Sequence, residues 1–201
     1  MISNLHLVMH GVAIKKHCGS GDIAELVGLS PTMVAAELAA AETRGRVVAV
    51  DEKYMLSPAG QMILFGEYSR FYADLADDTA FNEAYAGFEV INAELKALIT
   101  DWQTLELAGK RVVNDHSNRE YDDDVIARLG DLHERFEPLV DAMIASQPRF
   151  EWYKSKLSSA LDQAEDGAVE WVSDAKIESY HSVWFEMHED LLRILGHERE
   201  D

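Results

Sequence analysis

Apolar positions along this chain recur mostly every three or four residues, with one short β-branched interruption near residue 50. Over residues 3–17, Leu5, Val8, Met9, Val12 and Ala13 share one helical face, and Gly19-Ser20-Gly21 ends the segment. Ile23, Leu26 and Val27 mark a second short helix over 21–28, closed by Gly28. Ser30-Pro31 opens a third helix, with the serine as N-cap and the proline at the first helical position. Val34, Leu38 and Ala41 form its inward stripe, and Gly45 ends it. Arg46-Val47-Val48-Ala49-Val50 reads as a strand, Asp51-Glu52-Lys53 as a polar turn and Tyr54-Met55-Leu56 as the return strand. Ser57-Pro58 then repeats the start signal of Ser30-Pro31.

The rest of the chain is helical in period. Residues 58–77 read as one helix, with Ile63, Leu64, Tyr68, Phe71, Tyr72 and Leu75 inward. Steps of four and three over 80–103 collect Phe81, Tyr85, Phe88, Asn92, Leu95, Ile99 and Trp102 into a packing seam with one polar member. Residues 104–121 read as a polar loop, and Asp122-Asp123-Asp124 as a helix start, where carboxylates suit the dipole. That helix carries Val125, Leu129, Leu132, Phe136, Leu139, Val140 and Met143. Pro148 opens a further helix with Phe150, Tyr153, Leu157 and Leu161, ending at Gly167. A last helix spans 174–195, with Ile177, Trp184, Met187, Leu191 and Leu195 inward.

The expected fold is therefore mainly α. A winged helix-turn-helix over 1–60, three helices and a short hairpin, precedes an α-helical bundle over 61–201. Charge divides the chain at the same place. Of 18 Lys plus Arg and 37 Asp plus Glu, the first sixty residues hold 5 and 6, so nearly all of the net −19 falls on the bundle. Such a chain does not hold nucleic acid through its average field, and a nucleic-acid role needs a local patch. Cys18 is the one cysteine, which excludes an intrachain disulfide. The first residues lack a basic segment ahead of an apolar run, and no run reaches the roughly 20 apolar residues of a membrane helix. The expectation is a cytoplasmic protein without membrane contact.

The run Ile23-Ala24-Glu25-Leu26-Val27-Gly28-Leu29-Ser30-Pro31 resembles the helix-turn-helix of MarR-like winged-helix regulators, as does Leu56-Ser57-Pro58-Ala59-Gly60, which in that family leaves the wing for a long helix. The resemblance implies a transcriptional regulator that binds DNA as a homodimer, with a small-molecule effector. Thr100-Asp101-Trp102-Gln103, Asn114-Asp115-His116 and the stretch from Ser179 to Leu192 resemble an actinobacterial family of unassigned biochemistry that joins a winged helix to this helical domain. Its genes often lie near one for a phosphoenolpyruvate-utilising or pyruvate phosphate dikinase enzyme. That implies the rival reading, an adaptor that binds such a partner protein and not DNA.

The residues themselves divide between these readings. Thr32, Thr43 and Arg44 on or beside the third helix suit DNA, and Lys15, Lys16, Arg46 and Lys53 suit its phosphates. Glu37 and Glu42 repel them, and the remaining exposed positions of that helix are mostly alanine. A ligand pocket in the bundle would draw on Asn92, Trp102, Tyr180, His181 and Trp184. Asn92 alternatively sets register, bonded to Asp101, Gln103 or another helix. His181 and His188, with Glu178, lie along one stripe that His133 or His116 could complete as a metal site. Seven residues separate the two histidines by about 10.5 Å, too far for one ion; the alternative is hydrogen bonding around Trp184. His6 and His10 stand at i, i+4 with His17 beyond, a ligating spacing or an interface pair. Asn114, Asp115, His116 and Asn118 form either a polar pocket or caps and turns. The chain shows no phosphate-binding glycine loop, no HExxH helix and no nucleophile elbow, and Cys18 beside His17 points away from it, so neither an enzyme nor a cofactor is expected.

Overall fold

A computed structural model describes residues 2–107 and 109–197. The chain is mainly helical and divides into two compact units, Met1–Asp78 with Glu186–Asp201, and Thr79–Phe185. The division differs from a boundary at residue 60: the first unit takes in the helix after the hairpin and the end of the chain.

In the first unit, α1 (Asn4–Lys15), α2 (Ser20–Val27) and α3 (Pro31–Thr43) precede a hairpin of β1 (Val47–Val50) and β2 (Lys53–Leu56). Ser3, Ser30 and Ser57 each accept a backbone N–H at a helix start, so the Ser-Pro signals work as read. Gly28 closes α2 in the left-handed region at φ 68°. α1 is buried nearly all round: Val8, Met9 and Val12 meet water nowhere, and neither do His6 and His10. A side chain at Gly11 would press on Ile23 and Val27, so glycine is what lets α1 and α2 approach. The hairpin pairs Val47 with Leu56 through Val50 with Lys53, and its two-residue turn puts Asp51 at φ 49° and Glu52 at φ 60°.

The helix expected over 58–77 stops at Phe71: α4 (Pro58–Phe71) is followed at Tyr72 by a break, then by α5 (Ala73–Ala76). Leu64, Tyr68, Tyr72 and Leu75 are buried as expected, whereas Ile63 is partly exposed. Met62 and Phe65 are more than three-quarters exposed.

In the second unit, α6 (Thr79–Gln103) buries Phe81, Phe88, Asn92, Leu95, Ile99 and Trp102 of the seam, with Tyr85 at its margin. The polar loop expected over 104–121 is instead a second hairpin, β3 (Thr104–Leu107) with β4 (Lys110–Val113), and a helix start at Arg119. Gly109 turns it at φ 75°, and Glu106 stands opposite Arg111. Glu106, Lys110 and Arg111 interrupt its apolar positions, and β4 is exposed throughout, which is why no buried face marks it in the sequence. α7 (Arg119–Ser146) runs through Pro138 and packs along α6, where Leu139 rests on Gly87. A 3₁₀ turn (Pro148–Phe150) leads into α8 (Glu151–Glu165), and α9 (Glu170–Ser173) is a single turn. The last helix, α10 (Tyr180–Leu195), starts six residues later than 174, and its residues up to Phe185 belong to the second unit and the others to the first.

Candidate functional site

The first unit carries the residues expected to meet DNA. α3 exposes Thr32, Met33, Ala35, Ala36 and Ala39, while Val34, Leu38 and Ala41 face inward. Thr43 is exposed, but its hydroxyl donates to the Ala39 carbonyl at 2.8 Å. Arg44 is exposed and Arg46 half-buried, on either side of Gly45. Lys53 is exposed at the far end of the hairpin, about 10 Å along the strand from its base. Lys16 is exposed at the C-cap of α1. Lys15 departs from expectation. Its side chain is 7% exposed and its Nζ lies 2.8 Å from Glu186 Oε2, so the fold itself takes up this cation.

Lys53 is the cross-strand partner of Val50 and stands two residues from Met55, so it shares a hairpin face with them, and Lys16 lines a hollow with Met55. Asp51 and Glu52 occupy the hairpin tip, and Glu42 is exposed on α3. Val48 and Met55 are cross-strand partners, so they share a face of the hairpin with Val50, and all three are exposed, as is Met33.

Behind α1 lies a buried polar array. His10 Nε2 is 3.0 Å from Asp190 Oδ1, both side chains fully buried, and His10 Nδ1 meets the Tyr68 hydroxyl at 2.8 Å. His6 lies one turn earlier, its ring stacked toward His10 and its Nδ1 3.1 Å from Glu67 Oε2. Burial pushes the Tyr68 hydroxyl well above its ordinary pKa, so it stays protonated. The i, i+4 histidine spacing thus serves hydrogen bonding to α4 and α10. Its partners are too remote in sequence to be read from the spacing. Cys18 is buried, and burial with Asp22 nearby pushes its thiol up to about 12, which removes it as a nucleophile.

Of the five residues expected to line a pocket in the second unit, three come together. Trp184 Nε1 donates to Asn92 Oδ1 at 3.1 Å, and Asn92 Nδ2 donates to Glu89 Oε2 at 3.2 Å. The Trp184 ring stacks on Phe88 at 4.8 Å and touches Phe136 at 4.7 Å, with Tyr180 stacked beyond. Asn92, Tyr180 and Trp184 are buried and hydrogen-bond within the unit, so they form part of its core. Trp102 lies in a different cluster, against His116 at 4.5 Å. His181 is half-buried, and burial holds its imidazole below the ordinary range.

The Asn114 region resolves as a turn and cap. Asn114 Nδ2 donates to the Trp102 carbonyl and to Asp122 Oδ1, and His116 Nδ1 lies 3.0 Å from Asp122 Oδ2. Asn118 caps α7 and Asp115 accepts the Ser117 N–H, tying the second hairpin to the start of that helix. Among the described residues, no three His, Cys, Asp or Glu side chains are placed to hold a metal ion, and no single helix is long and apolar enough to cross a membrane.

The Tyr180 hydroxyl is 3.1 Å from His133 Nδ1, and Ser158 Oγ is 3.3 Å from His133 Nε2. Burial holds the His133 imidazole below its ordinary 6.5. A base depressed in the folded state leaves stability intact above the unfolded value and removes it as pH falls toward the folded one. The urea midpoint should therefore drop between about pH 7 and 5, and His133→Gln should flatten that drop. An unchanged slope would assign the loss elsewhere.

No protein-family model, no curated protein and no solved structure matches this chain.

Proposed function

We propose that the chain is a regulatory adaptor whose first unit, a winged-helix arrangement of α1–α3 and the β1–β2 hairpin, docks a partner protein. The observation that carries this is the character of the hairpin surface. Val48, Val50 and Met55 expose apolar surface on one face of the hairpin, with Lys53 beside them, and Asp51 and Glu52 hold the hairpin tip. A duplex lined with phosphates repels such a tip and gains little from such a face, whereas a protein surface buries it. The resemblance to a family encoded beside phosphoenolpyruvate-utilising enzymes makes such an enzyme the first partner to try.

A second reading, a MarR-like DNA-binding regulator, is favoured by Arg44 and Arg46 on either side of Gly45, with Thr32, Lys16 and Lys53 as further contacts. One comparison separates the two. Retention of a defined partner from nuclease-treated lysate should fall at least tenfold with Val48→Glu/Met55→Glu and stay unchanged with Arg44→Gln/Arg46→Gln. The reverse pattern, with salt-sensitive gel shifts of the upstream DNA below about 10 µM, would establish the DNA reading instead.

A further inference from the structure

The apolar face of the hairpin leads into a hollow, and Met55 belongs to both. It is exposed beside Val48, and it lines a cavity of about 530 Å³ walled by the end of α1, β2, α4 and α10 within the first unit. Ligand-binding clefts have volumes of this order, about 300–1,000 Å³. Leu56 and Phe65 continue the apolar wall, and Lys16, Gln61 and Arg193 supply the polar groups. All three are donors, and only the Gln61 amide can also accept. Among the described residues no carboxylate lines the hollow, the reverse of the average for a chain of net charge −19. Lys53 shares the hairpin face with Met55 and adds a third cation on the approach. The backbone fixes the first. The Tyr54 N–H donates to the Cys18 carbonyl at 2.8 Å and ties the end of α1 to β2, and Lys16 closes that helix with its own N–H on the Val12 carbonyl at 2.9 Å. Arg193 Nη2 lies 2.8 Å from Glu189 Oε1, yet Glu189 is not part of the lining, and Arg193 Nε is buried with no partner among the described residues.

We propose that this hollow receives an acidic segment of the partner protein. One large apolar side chain of the segment enters against Met55, Leu56 and Phe65, and a carboxylate beside it meets Lys16 and Arg193. Each half of the lining selects. A phosphate chain would use the cations and leave the apolar walls in water. A basic or neutral segment would bury donors without giving them an acceptor. Continuity with the hairpin face favours an extended protein segment over a free small molecule, since an occupant laid along Val48 and Met55 passes directly into the hollow. This docking mode rests on the adaptor reading of the first unit and adds to it the composition of the partner's segment.

Fluorescence polarisation on the full chain tests it, with a labelled peptide Glu-Asp-Leu-Phe-Asp-Glu as the probe. Binding should be tighter than about 100 µM at about 50 mM salt and should weaken severalfold at about 500 mM. Replacing the acids by their amides, or Leu-Phe by Ser-Ser, should each cost at least about tenfold. Lys16→Glu should cost the acidic probe at least about tenfold, and so should Gln61→Trp, which fills the hollow and leaves both cations in place. Both positions are exposed, and circular dichroism should show the parent fold in each variant. Failure of the hollow is separable from failure of the adaptor reading. A partner whose retention falls with Val48→Glu/Met55→Glu but is indifferent to Gln61→Trp keeps the adaptor and overturns the hollow. Probe binding that is lost in both variants while no partner is retained supports the hollow and removes the adaptor. An acidic probe that stays unbound to about 1 mM, an amide probe that binds as tightly, or displacement of the probe by duplex DNA below about 10 µM would each overturn the proposal.

Discussion

Replacing Asp190 with leucine is expected to cost about 3–5 kcal/mol of stability, because it leaves a hydrogen-bonded imidazole buried without its carboxylate. His10 and Asp190 are both fully buried, and their side chains meet at 3.0 Å. The other ring nitrogen of His10 holds the Tyr68 hydroxyl, so one carboxylate from α10 orients a bridge from α1 to α4. A leucine also fits the volume poorly and adds no acceptor. Thermal unfolding should move down by at least about 6 °C, and hydrogen exchange should show lost protection in α1. Asp190→Asn keeps an acceptor in place and should cost less than half as much. A leucine variant within about 1 kcal/mol of the parent would mean that the array contributes little and that apolar packing alone holds α1.

The same array shows where sequence reasoning reaches and where it stops. His6 and His10 stand out at i, i+4, and their burial follows from an otherwise apolar helix. Their partners Glu67, Tyr68 and Asp190 lie some sixty to one hundred and eighty residues on, and periodicity carries no information about such pairings. Local chemistry was legible. The Ser30-Pro31 and Ser57-Pro58 caps, the Gly28 turn and the hairpin all rest on residues within a few positions of one another. The second hairpin was not legible, because Glu106, Lys110 and Arg111 interrupt the apolar pattern and its faces stay near water. Asn92 was rightly singled out as the polar member of a seam. Of the expected partners, Asp101, Gln103 or a residue on another helix, the structure has the last, the indole of Trp184 on α10, ninety-two residues away and out of reach of periodicity. The DNA-facing set failed at Lys15 for the same reason: Glu186 lies on a helix that sequence alone would assign to the other half of the protein. Charge counted along the chain says where cations are, and only the fold says which of them remain available.

Gly60→Ala should be the most damaging single-methyl change in the first unit. A Cβ at this position would overlap the carbonyl oxygen of Arg46 and stand 2.9 Å from its carbon, and both are backbone atoms that no rotamer can move. The carbonyl is itself fixed, since it accepts the Ser57 N–H at 2.9 Å. Ser57 Oγ donates to the Gly45 carbonyl at 2.7 Å and accepts the Gly60 N–H at 3.0 Å. One serine thus staples the end of α3, the base of the hairpin and the first turn of α4, and Gly60 is the residue that lets the helix come that close. Overpacking against side chains costs about 1–3 kcal/mol, and against backbone the upper end, about 3 kcal/mol, is expected. The damage should also reach binding, because α4 must shift relative to the hairpin that presents Val48 and Met55. Gly21→Ala is the control: nothing lies within 4 Å of its Cβ position on α2, and helix propensity should make it up to about 1 kcal/mol more stable. Equal effects at the two glycines in urea unfolding would show that the contact at Arg46 relaxes freely, and the stapled junction would lose its claim to orient the hairpin.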